Sequence, residues 1–434
     1  MPQELIELNA HKPATKVTAI LVLIVVAVWS SFVLRWYLGN TIAEYFVMDE
    51  NSIQVAKTAE SLAPRDPLTH LRLADVLLQK LPPEQLGQVT AEYEEAVRLS
   101  PNDYRLWMML GTALEQSGDT KRGEEALRQA TELAPSYVYP HWYLGNLLLR
   151  TARYDEGFAE LRRASDADPE FRPQLFNLAW QIYNEDFDGL KIAVGTTAEA
   201  RAGLALYLFG RQLIDEGLRM WNTLSESEKR ANRSAGFLVV SSLVGARRFH
   251  DAMRVWDELA PDESSRAATD RIMDGGFEDE ITRGPEEVFA WQVKQAPQMQ
   301  IGIDPAQSHT GVRSMRLLFQ VRSKLESINV SQLVPVLPNQ QYDFEYYVKT
   351  EKLQSGSTPV VQIFEAANSS VLASSESAGT GDNDWKRVAT SFKTGPKTEA
   401  VMVRIVRGGC GDETPVCPIF GIIWYDDFRF QRRN

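Results

Sequence analysis

Prolines recur at a fixed interval through the first half of the chain, and this period constrains the fold more than any other feature. Ser100-Pro101, Ala134-Pro135 and Asp168-Pro169 lie 34 residues apart, and Pro64 lies 37 residues before Pro101. The three extra residues of that first interval fall around Leu81-Pro82-Pro83. A fixed period of this length is typical of a helical solenoid, in which each repeat buries its apolar face against its neighbours.

Other positions follow the same period: Leu110-Gly111 and Gly123 of one repeat recur as Leu144-Gly145 and Gly157 in the next. These residues resemble the tetratricopeptide repeat, a pair of antiparallel helices. The resemblance implies that the small residues let the paired helices approach closely and that the proline ends each second helix. It covers about residues 66–170. We therefore expect an all-α solenoid over 66–261 that is regular to about 170 and degenerate beyond it.

The resemblance also implies a protein-binding groove lined by the first helix of each pair. The residues that this register places in the groove are Leu71, Asp75, Gln79, Arg105, Met108, Thr112, Glu115, Tyr139, Trp142, Asn146 and Arg150. Trp142 is a candidate anchor, because His141 already takes the large core position beside it and because aromatic residues dominate interface energetics. The alternative is that Trp142 packs against the neighbouring repeat.

An uncharged run occupies residues 17–34, between Lys16 and Arg35. With residues 36–38 it is long enough to cross about 30 Å of hydrocarbon as a helix. A cleaved signal peptide, the alternative, would have an apolar region of about 7–15 residues followed by small residues. Here the sequence WSSFVLRW follows instead. We expect an uncleaved transmembrane helix over 17–38 with the lipid bilayer as its partner, followed by a juxtamembrane helical connector over 39–65.

Charges and cysteines predict the compartment. Lys12 and Lys16 precede the span and Arg35 alone directly follows it, so the positive-inside bias places the tail 1–16 in the cytoplasm. The bulk of the chain would then lie in the periplasm, anchored to a bacterial inner membrane. The two cysteines, Cys410 and Cys417, flank a turn-rich stretch. A disulfide between them would need an oxidising compartment, and two unrelated thiols are the alternative.

After a polar linker over 262–271, strand-like runs replace the helical pattern. The runs are Ser314–Val321, Ser327–Val336, Gln341–Thr350, Pro359–Ala366, Lys386–Phe392, Ala400–Val406 and Phe420–Phe430. Short strands at this spacing predict an all-β sandwich over 272–434. In the third run Tyr342, Phe344, Tyr346 and Val348 alternate with polar residues, so we expect one face of that strand to lie in the core.

Landmarks of this region resemble jelly-roll carbohydrate-binding modules. They are Met273–Glu278, Trp291, His309–Leu317, Gln332–Pro338, Tyr342–Thr350, Asp384-Trp385 and Trp424–Phe428. The resemblance implies a structural calcium held by Glu278 and Asp426. Hydrogen bonds from arginine or backbone N–H groups are the alternative for these carboxylates. For glycan contact we expect Glu345, Tyr347 and Arg404 on one exposed face, with Trp385 and Trp424 packed.

The sequence lacks the usual catalytic signatures, among them GxSxG, HExxH, GxxxxGK[ST] and CxxC. A net charge of −12 without a basic tract argues against nucleic acid as a partner. We therefore expect no catalytic residues and no cofactor apart from the calcium. The predicted function is a non-enzymatic, membrane-anchored extracytoplasmic scaffold that binds other membrane or periplasmic proteins. The alternatives are a polysaccharide-binding adaptor in envelope glycan synthesis or export, and an enzyme.

Overall fold

The computed structural model describes residues 13–45, 51–80, 85–184, 186–260, 268–281, 287–294, 299–319, 329–410 and 417–433. The chain divides into two compact units, 1–195 and 196–434. The boundary falls inside the range 66–261 that we predicted for the solenoid. It lies at Gly195, whose φ of +94° is a left-handed conformation that favours glycine.

Helices dominate the described part of unit 1. They are α1 (Pro13–Glu44), α2 (Ser52–Leu62), α3 (Pro67–Lys80), α4 (Leu86–Leu99), α5 (Tyr104–Gln116), α6 (Thr120–Leu133), α7 (Val138–Arg150), α8 (Tyr154–Ala167), α9 (Arg172–Tyr183) and α10 (Phe187–Val194). A short 3₁₀ turn, Pro169–Phe171, precedes α9. The pairs α3–α4, α5–α6 and α7–α8 are in extensive contact and form the three regular repeats.

Glycine permits the close approach of the two helices in a repeat. A Cβ on Gly111 would lie 2.6 Å from Cγ of Leu127 and 2.9 Å from the carbonyl oxygen of Gly123. A Cβ on Gly145 would lie 2.7 Å from Cγ of Leu161. Any side chain at these positions would hold the paired helices apart, which is why the small residue recurs with the period.

One hydrogen bond also recurs with the period and joins each first helix to the proline that ends the previous repeat. The three bonds are His70 Nε2 to Pro64 O at 3.1 Å, Trp107 Nε1 to Pro101 O at 2.7 Å, and His141 Nε2 to Pro135 O at 3.0 Å. The ring N–H thereby satisfies a carbonyl of the turn between two helices, which lies beyond the hydrogen bonds of the helix itself.

The two histidines make a second bond that the tryptophan cannot make. Nδ1 of His70 lies 2.7 Å from Glu92, and Nδ1 of His141 lies 2.6 Å from Glu160. Each imidazole therefore faces an acceptor at both ring nitrogens, which favours the protonated, doubly donating form. The equivalent position of the middle repeat holds Ala126, 34 residues before Glu160.

Helix α1 runs without a break from Pro13 to Glu44, so it extends past the predicted span 17–38 into the range 39–65. Its stretch Lys16–Glu44 is long and apolar enough to cross a membrane, and the side chains of its apolar window are exposed. Its last turns contact α2 and α3: a Cβ on Gly39 would lie 2.7 Å from the carbonyl oxygen of Ala59, and Arg72 Nε donates to Ala43 O at 2.9 Å.

Unit 2 begins with five helices in its described part: α11 (Ala198–Gly210), α12 (Ile214–Trp221), α13 (Glu226–Ala231), α14 (Arg233–Gly245) and α15 (Phe249–Leu259). The last of them contacts the β-structure that follows. The ring of Trp256 lies 5.7 Å from that of Phe289, and His250 Nε2 lies 3.1 Å from Val336 O. These contacts explain why the late helices belong to the unit that contains the strands.

The strands are β1 (Gln292–Lys294), β2 (Met299–Asp304), β3 (Ser314–Phe319), β4 (Asn329–Pro335), β5 (Gln341–Ser355), β6 (Val360–Glu365), β7 (Val371–Ser374), β8 (Gly381–Lys393), β9 (Ala400–Val406) and β10 (Ile419–Arg432). They form two five-stranded sheets. The "β9 sheet" has the order β1-β4-β9-β6-β7, and the "β5 sheet" has the order β2-β3-β10-β5-β8. The strands of both sheets pair antiparallel.

Side chains from both sheets fill one core, which confirms the predicted all-β sandwich. Tyr342, Phe344, Tyr346 and Val348 are buried as the alternation in β5 predicts. Of the predicted linker 262–271, residues 262–267 lie outside the described part. Asp270 is bound to the sandwich, because it accepts a hydrogen bond from Tyr342 Oη at 2.5 Å.

Candidate functional site

Most of the residues predicted to line the groove reach the surface of unit 1. Gln79, Arg105, Tyr139 and Arg150 are exposed, while the partly exposed members are Leu71, Asp75, Thr112, Glu115, Trp142 and Asn146. All of them lie on α3, α5 or α7, and we call the surface they share the first-helix face.

Met108 contradicts the prediction: its side chain is only 7% exposed. It packs with Leu127 of α6 and with Leu144 and Leu148 of α7. An unbranched, flexible side chain can fill an irregular gap between repeats. The indole at the equivalent position, Trp142, is larger and stays partly exposed.

Aromatic side chains cluster at the N-terminal ends of α5 and α7 and in the turn before α9. Trp142 lies edge-on to Phe171 at 5.0 Å between ring centroids, and Tyr139 contacts the same ring at 5.8 Å. Tyr104 and Tyr137 contact each other at 5.1 Å. We call these five residues the aromatic patch. Tyr137 and Tyr139 are each 57% exposed, so the patch presents apolar rings to solvent.

For Trp142 we considered a groove anchor and packing against the neighbouring repeat. The structure combines the two, since the indole packs edge-on to Phe171 while the side chain remains partly exposed. Phe171 was missing from the predicted groove. The signal for it was present, because Phe171 follows Tyr137 by the repeat period of 34 residues. The turn over 169–171 carries it beside α7 rather than on a first helix.

Polar groups of the first-helix face are largely paired within the chain. Arg150 on α7 donates twice to Glu115 on α5, at 2.5 and 2.7 Å, which joins neighbouring repeats. Asp75 accepts from Tyr93 Oη at 2.8 Å, and burial raises the pKa of its carboxyl. Tyr139 and Trp142 belong both to this face and to the aromatic patch.

In the sandwich, the outer face of the β5 sheet carries a second cluster of rings. His309 is stacked on Tyr347 with centroids 3.6 Å apart, and Trp385 lies 5.9 Å from His309. Nδ1 of His309 contacts Asp427 at 2.6 Å, which fixes the imidazole over the sheet. Trp385 is partly exposed and packs edge-on to His309 on this outer face rather than in the core. Trp424 is buried as predicted and donates to Asp304 at 2.8 Å.

Glu345, Tyr347 and Arg404 do not share a face, which contradicts the prediction. Glu345 and Tyr347 lie on β5, whereas Arg404 lies on β9 in the other sheet, with its guanidinium 5.5 Å from the ring of Phe364. Alternation along a strand shows which residues point outward but not to which sheet the strand belongs. Glu345 is also neutralised by ion pairs with Arg387 and, at 3.0 Å, with Arg429.

The two candidate calcium ligands face N–H donors. Asp426 is buried and accepts from the backbone N–H of His309 at 2.6 Å and of Asp427 at 2.7 Å. Glu278 accepts from Val312 N at 3.0 Å. Burial raises the pKa of Asp426 to about 6 despite these bonds. Calcium binds oxygen ligands, so this donor set fits the hydrogen-bonded alternative better than the metal.

No cluster of three or more His, Cys, Asp or Glu side chains suited to a metal occurs in the part of the chain that the structure describes. Cys410 and Cys417 are joined in a disulfide, with Cα atoms 5.2 Å apart. That separation lies within the range typical of disulfides. The stretch 411–416 between them is outside the described residues.

Comparisons with known proteins identify the repeats. The tetratricopeptide repeat family model matches residues 90–138 and 108–170. The chain is 34% identical over 83 residues to the E3 ubiquitin-protein ligase CHIP of Arabidopsis thaliana, covering 19% of this chain and 30% of that protein. It is 26% identical over 114 residues to interferon-induced protein with tetratricopeptide repeats 2 of Cricetulus griseus, covering 26% and 24%. The chain thus spans less than a third of these curated relatives.

Two groups of solved structures are similar to parts of the chain. MamA (residues 41 to the end) from Desulfovibrio magneticus RS-1 has 16% identity and a TM-score of 0.32, covering 39% of this chain and 93% of that one. The xylan-binding CBM22-1 domain of Paenibacillus barcinonensis Xyn10C has 12% identity and a TM-score of 0.26, covering 38% and 96%. The chain is a multidomain protein with tetratricopeptide repeats, a C-terminal β-sandwich and one apolar N-terminal helix.

Proposed function

We propose that this protein is a non-enzymatic scaffold that holds a larger membrane protein assembly together. The observation that carries the proposal is the aromatic patch at the ends of α5 and α7. Tyr137 and Tyr139 are more than half exposed there, although burying them would be favourable. Exposed aromatic rings next to polar side chains that are already paired within the chain are typical of a surface that a protein partner covers.

The anchor and the disulfide support an extracytoplasmic scaffold. Helix α1 supplies a span of sufficient length, and Lys12 and Lys16 precede it. With the short tail in the cytoplasm, the chain that follows the span lies in the periplasm, where the Cys410–Cys417 disulfide is stable. A reporter that is active only outside the cytoplasm, fused after Asn434, should therefore be active. Both cysteines should resist alkylation until they are reduced, and free thiols in the untreated protein would contradict this topology.

The scaffold proposal is tested by purification of the full chain from its native membrane in a mild detergent. We expect integral membrane proteins to co-purify in fixed stoichiometry. Replacing Tyr139 and Trp142 together by alanine should weaken that association at least tenfold, since loss of one interface hot spot typically costs about 2 kcal/mol or more.

The matched control is Tyr143→Ala, which removes another exposed tyrosine of α7 that lies outside the aromatic patch. It should leave the association unchanged. Helical circular dichroism should be the same for all three proteins. If the double variant unfolds, or if the control loses partners equally, the patch is not the interface.

A second candidate function is polysaccharide binding in envelope glycan synthesis or export. The observation that favours it is the stack of His309 on Tyr347 beside Trp385, on the outer face of the β5 sheet. Aromatic rings on a sheet face suit the apolar face of a pyranose. Retention on immobilised envelope polysaccharide should fall for Tyr347→Ala and Trp385→Ala. It should not fall for Arg404→Gln, which alters the other sheet.

A further inference from the structure

A cavity of about 720 Å³ opens at the end of the sandwich where β5 and β9 end and β6 begins. It lies apart from the ring cluster of the β5 sheet, since its lining includes neither His309, Tyr347 nor Trp385. Its wall is formed by the residues after β5, the segment before β8 and the end of β9. The cavity is large enough for a small organic molecule.

Arg407 supplies the one cationic side chain among the residues that line this cavity. Nε donates to Ser357 O at 2.7 Å, and Nη2 donates to Ser355 Oγ and to Cys417 O, both at 2.7 Å. These bonds hold one edge of the guanidinium against Cys417 and the residues at the end of β5. Nη1 forms no hydrogen bond with any residue that the structure describes.

The charge of Arg407 has no carboxylate partner among the described residues. The ion pairs of the sandwich involve other arginines, such as Arg387 with Glu345 and Arg433 with Asp343. The partners of Arg407 are carbonyl and hydroxyl oxygens, and burial lowers the pKa of its guanidinium. Among the described residues only neutral oxygens meet this partly buried cation, so the carboxylate of a ligand would add an ionic contact that they do not supply.

The rest of the lining is small and polar. Ser357, Ser377, Thr380 and Gln362 present hydroxyl and amide groups, and glycines at 356, 379 and 408 leave backbone groups accessible. No aromatic side chain lines the cavity. Such a wall offers hydrogen bonds in many directions but no ring on which an apolar sugar face could stack.

We propose that this cavity binds a sugar acid, with the carboxylate of the ligand on the free edge of Arg407 and its hydroxyls on Ser357, Ser377 and Thr380. A neutral sugar would add no ionic contact to the guanidinium. A peptide carboxylate would satisfy Arg407 but would leave much of the hydroxyl-rich wall without partners. The site is independent of the proposed polysaccharide contact on the β5 sheet, because it shares no residue with the ring cluster there.

The test is a ligand-observed NMR titration of the full chain, in a detergent without a sugar headgroup, with D-glucuronate as the probe. D-glucose and the tripeptide Ser-Ser-Ser are the comparison ligands. We expect glucuronate to bind at least tenfold more tightly than either. Arg407→Gln should weaken glucuronate binding at least tenfold, whereas Arg404→Gln, which removes a nearby cation of β9 that does not line the cavity, should change it less than twofold.

A second variant covers the case in which Arg407→Gln disturbs the loop. Ser377 is exposed at the rim of the cavity, so Ser377→Asp adds a negative charge there without removing Arg407. It should also weaken glucuronate binding at least tenfold, while Tyr347→Ala should leave it unchanged. Equal binding of glucose and glucuronate, tighter binding of the tripeptide, no binding of glucuronate, or equal losses in Arg404→Gln would each overturn the proposal.

Discussion

The repeat formed by α5 and α6 and the repeat formed by α7 and α8 solve the same packing problem with different chemistry. In the first, Trp107 donates its indole N–H to Pro101 O, and Ala126 lies where a carboxylate would otherwise be. In the second, His141 binds Pro135 O and is held by Glu160 at 2.6 Å. An apolar ring with a small partner thus replaces a charged pair at one position of the fold.

The difference separates what the repeat requires from what it tolerates. Both versions keep the N–H that satisfies the carbonyl at the end of the previous repeat. Both also keep the glycine at which the two helices cross, Gly111 or Gly145. The residue that faces the ring from the second helix varies between Ala126 and Glu160. Only the repeat with His141 and Glu160 carries a titratable charge at this position. The repeats should therefore share their response to packing changes and differ in their response to pH.

The largest effect is expected at the shared glycines. Gly111→Val and Gly145→Val should each destabilise unit 1 by about 3 kcal/mol, because a Cβ there meets the facing helix at less than 3 Å. Urea unfolding of the full chain in detergent, followed by helical circular dichroism, measures the change. The control is Gly87→Ala, where nothing lies within 4 Å of a Cβ. That variant should be neutral or stabilise by up to about 1 kcal/mol.

A smaller effect is expected when the charged pair is broken. Glu160→Ala leaves the buried imidazole of His141 without its acceptor and should cost about 2 kcal/mol. Adding His141→Trp reproduces the middle repeat, and this double variant should recover at least half of the loss. Glu125→Ala on exposed α6 surface is the control and should change stability by less than about 0.5 kcal/mol. A double variant that is less stable to unfolding than Glu160→Ala would show that the two kinds of repeat are not interchangeable.

Periodicity was sufficient to predict the solenoid, and alternation was sufficient to predict the sandwich. The period located the prolines and the crossing glycines because each repeat packs through the same few atoms. Strands β1, β2 and β7 were not predicted. The first and last are only 3 and 4 residues long, and β2 contains Gly302, so neither length nor pattern marks them.

The candidate sites were harder to predict because they depend on tertiary contacts. Met108 turns inward although its register matches that of Trp142, since the gap between α6 and α7 accepts its flexible side chain. Arg404 lies on a different sheet from Tyr347, and sheet membership is set by long-range pairing. The stack of His309 on Tyr347 joins residues 38 positions apart, and no local pattern encodes it.

A third prediction extends the comparison to Asp426, a buried carboxyl group of the sandwich with no cationic partner among the residues that the structure describes. Burial raises the pKa of Asp426 to about 6, so its folded form holds a proton more tightly than the unfolded chain does. The associated stability is present below pH 3.8 and is lost as pH rises through about 6, at a cost of at most about 3 kcal/mol. Calorimetry in EDTA should show this loss, and Asp426→Asn should remove it. If added calcium abolishes the loss in the unsubstituted protein, the metal binds there after all.

The smallest effect, and the sharpest test of the comparison, is the pH response of the two histidines. The hydrogen bond to Glu160 raises the pKa of His141 against the opposing effects of burial and Arg163. Burial lowers the pKa of His70, but Glu92, Pro64 and Glu60 together outweigh it and the net pKa is raised. A raised histidine pKa stabilises the folded state fully below pH 6.5, and that stability is lost as pH rises through the folded value.

The thermal midpoint of unit 1, which does not contain Asp426, should therefore fall between pH 6 and pH 9. The quadruple variant His70→Trp, Glu92→Ala, His141→Trp and Glu160→Ala gives all three repeats the chemistry of Trp107. Its thermal midpoint should vary less with pH than that of the unsubstituted protein. Histidine NMR resonances should titrate above pH 6.5 in the unsubstituted protein. If the midpoint instead rises with pH, the buried imidazoles are neutral. The two kinds of repeat would then differ in shape alone and not in charge.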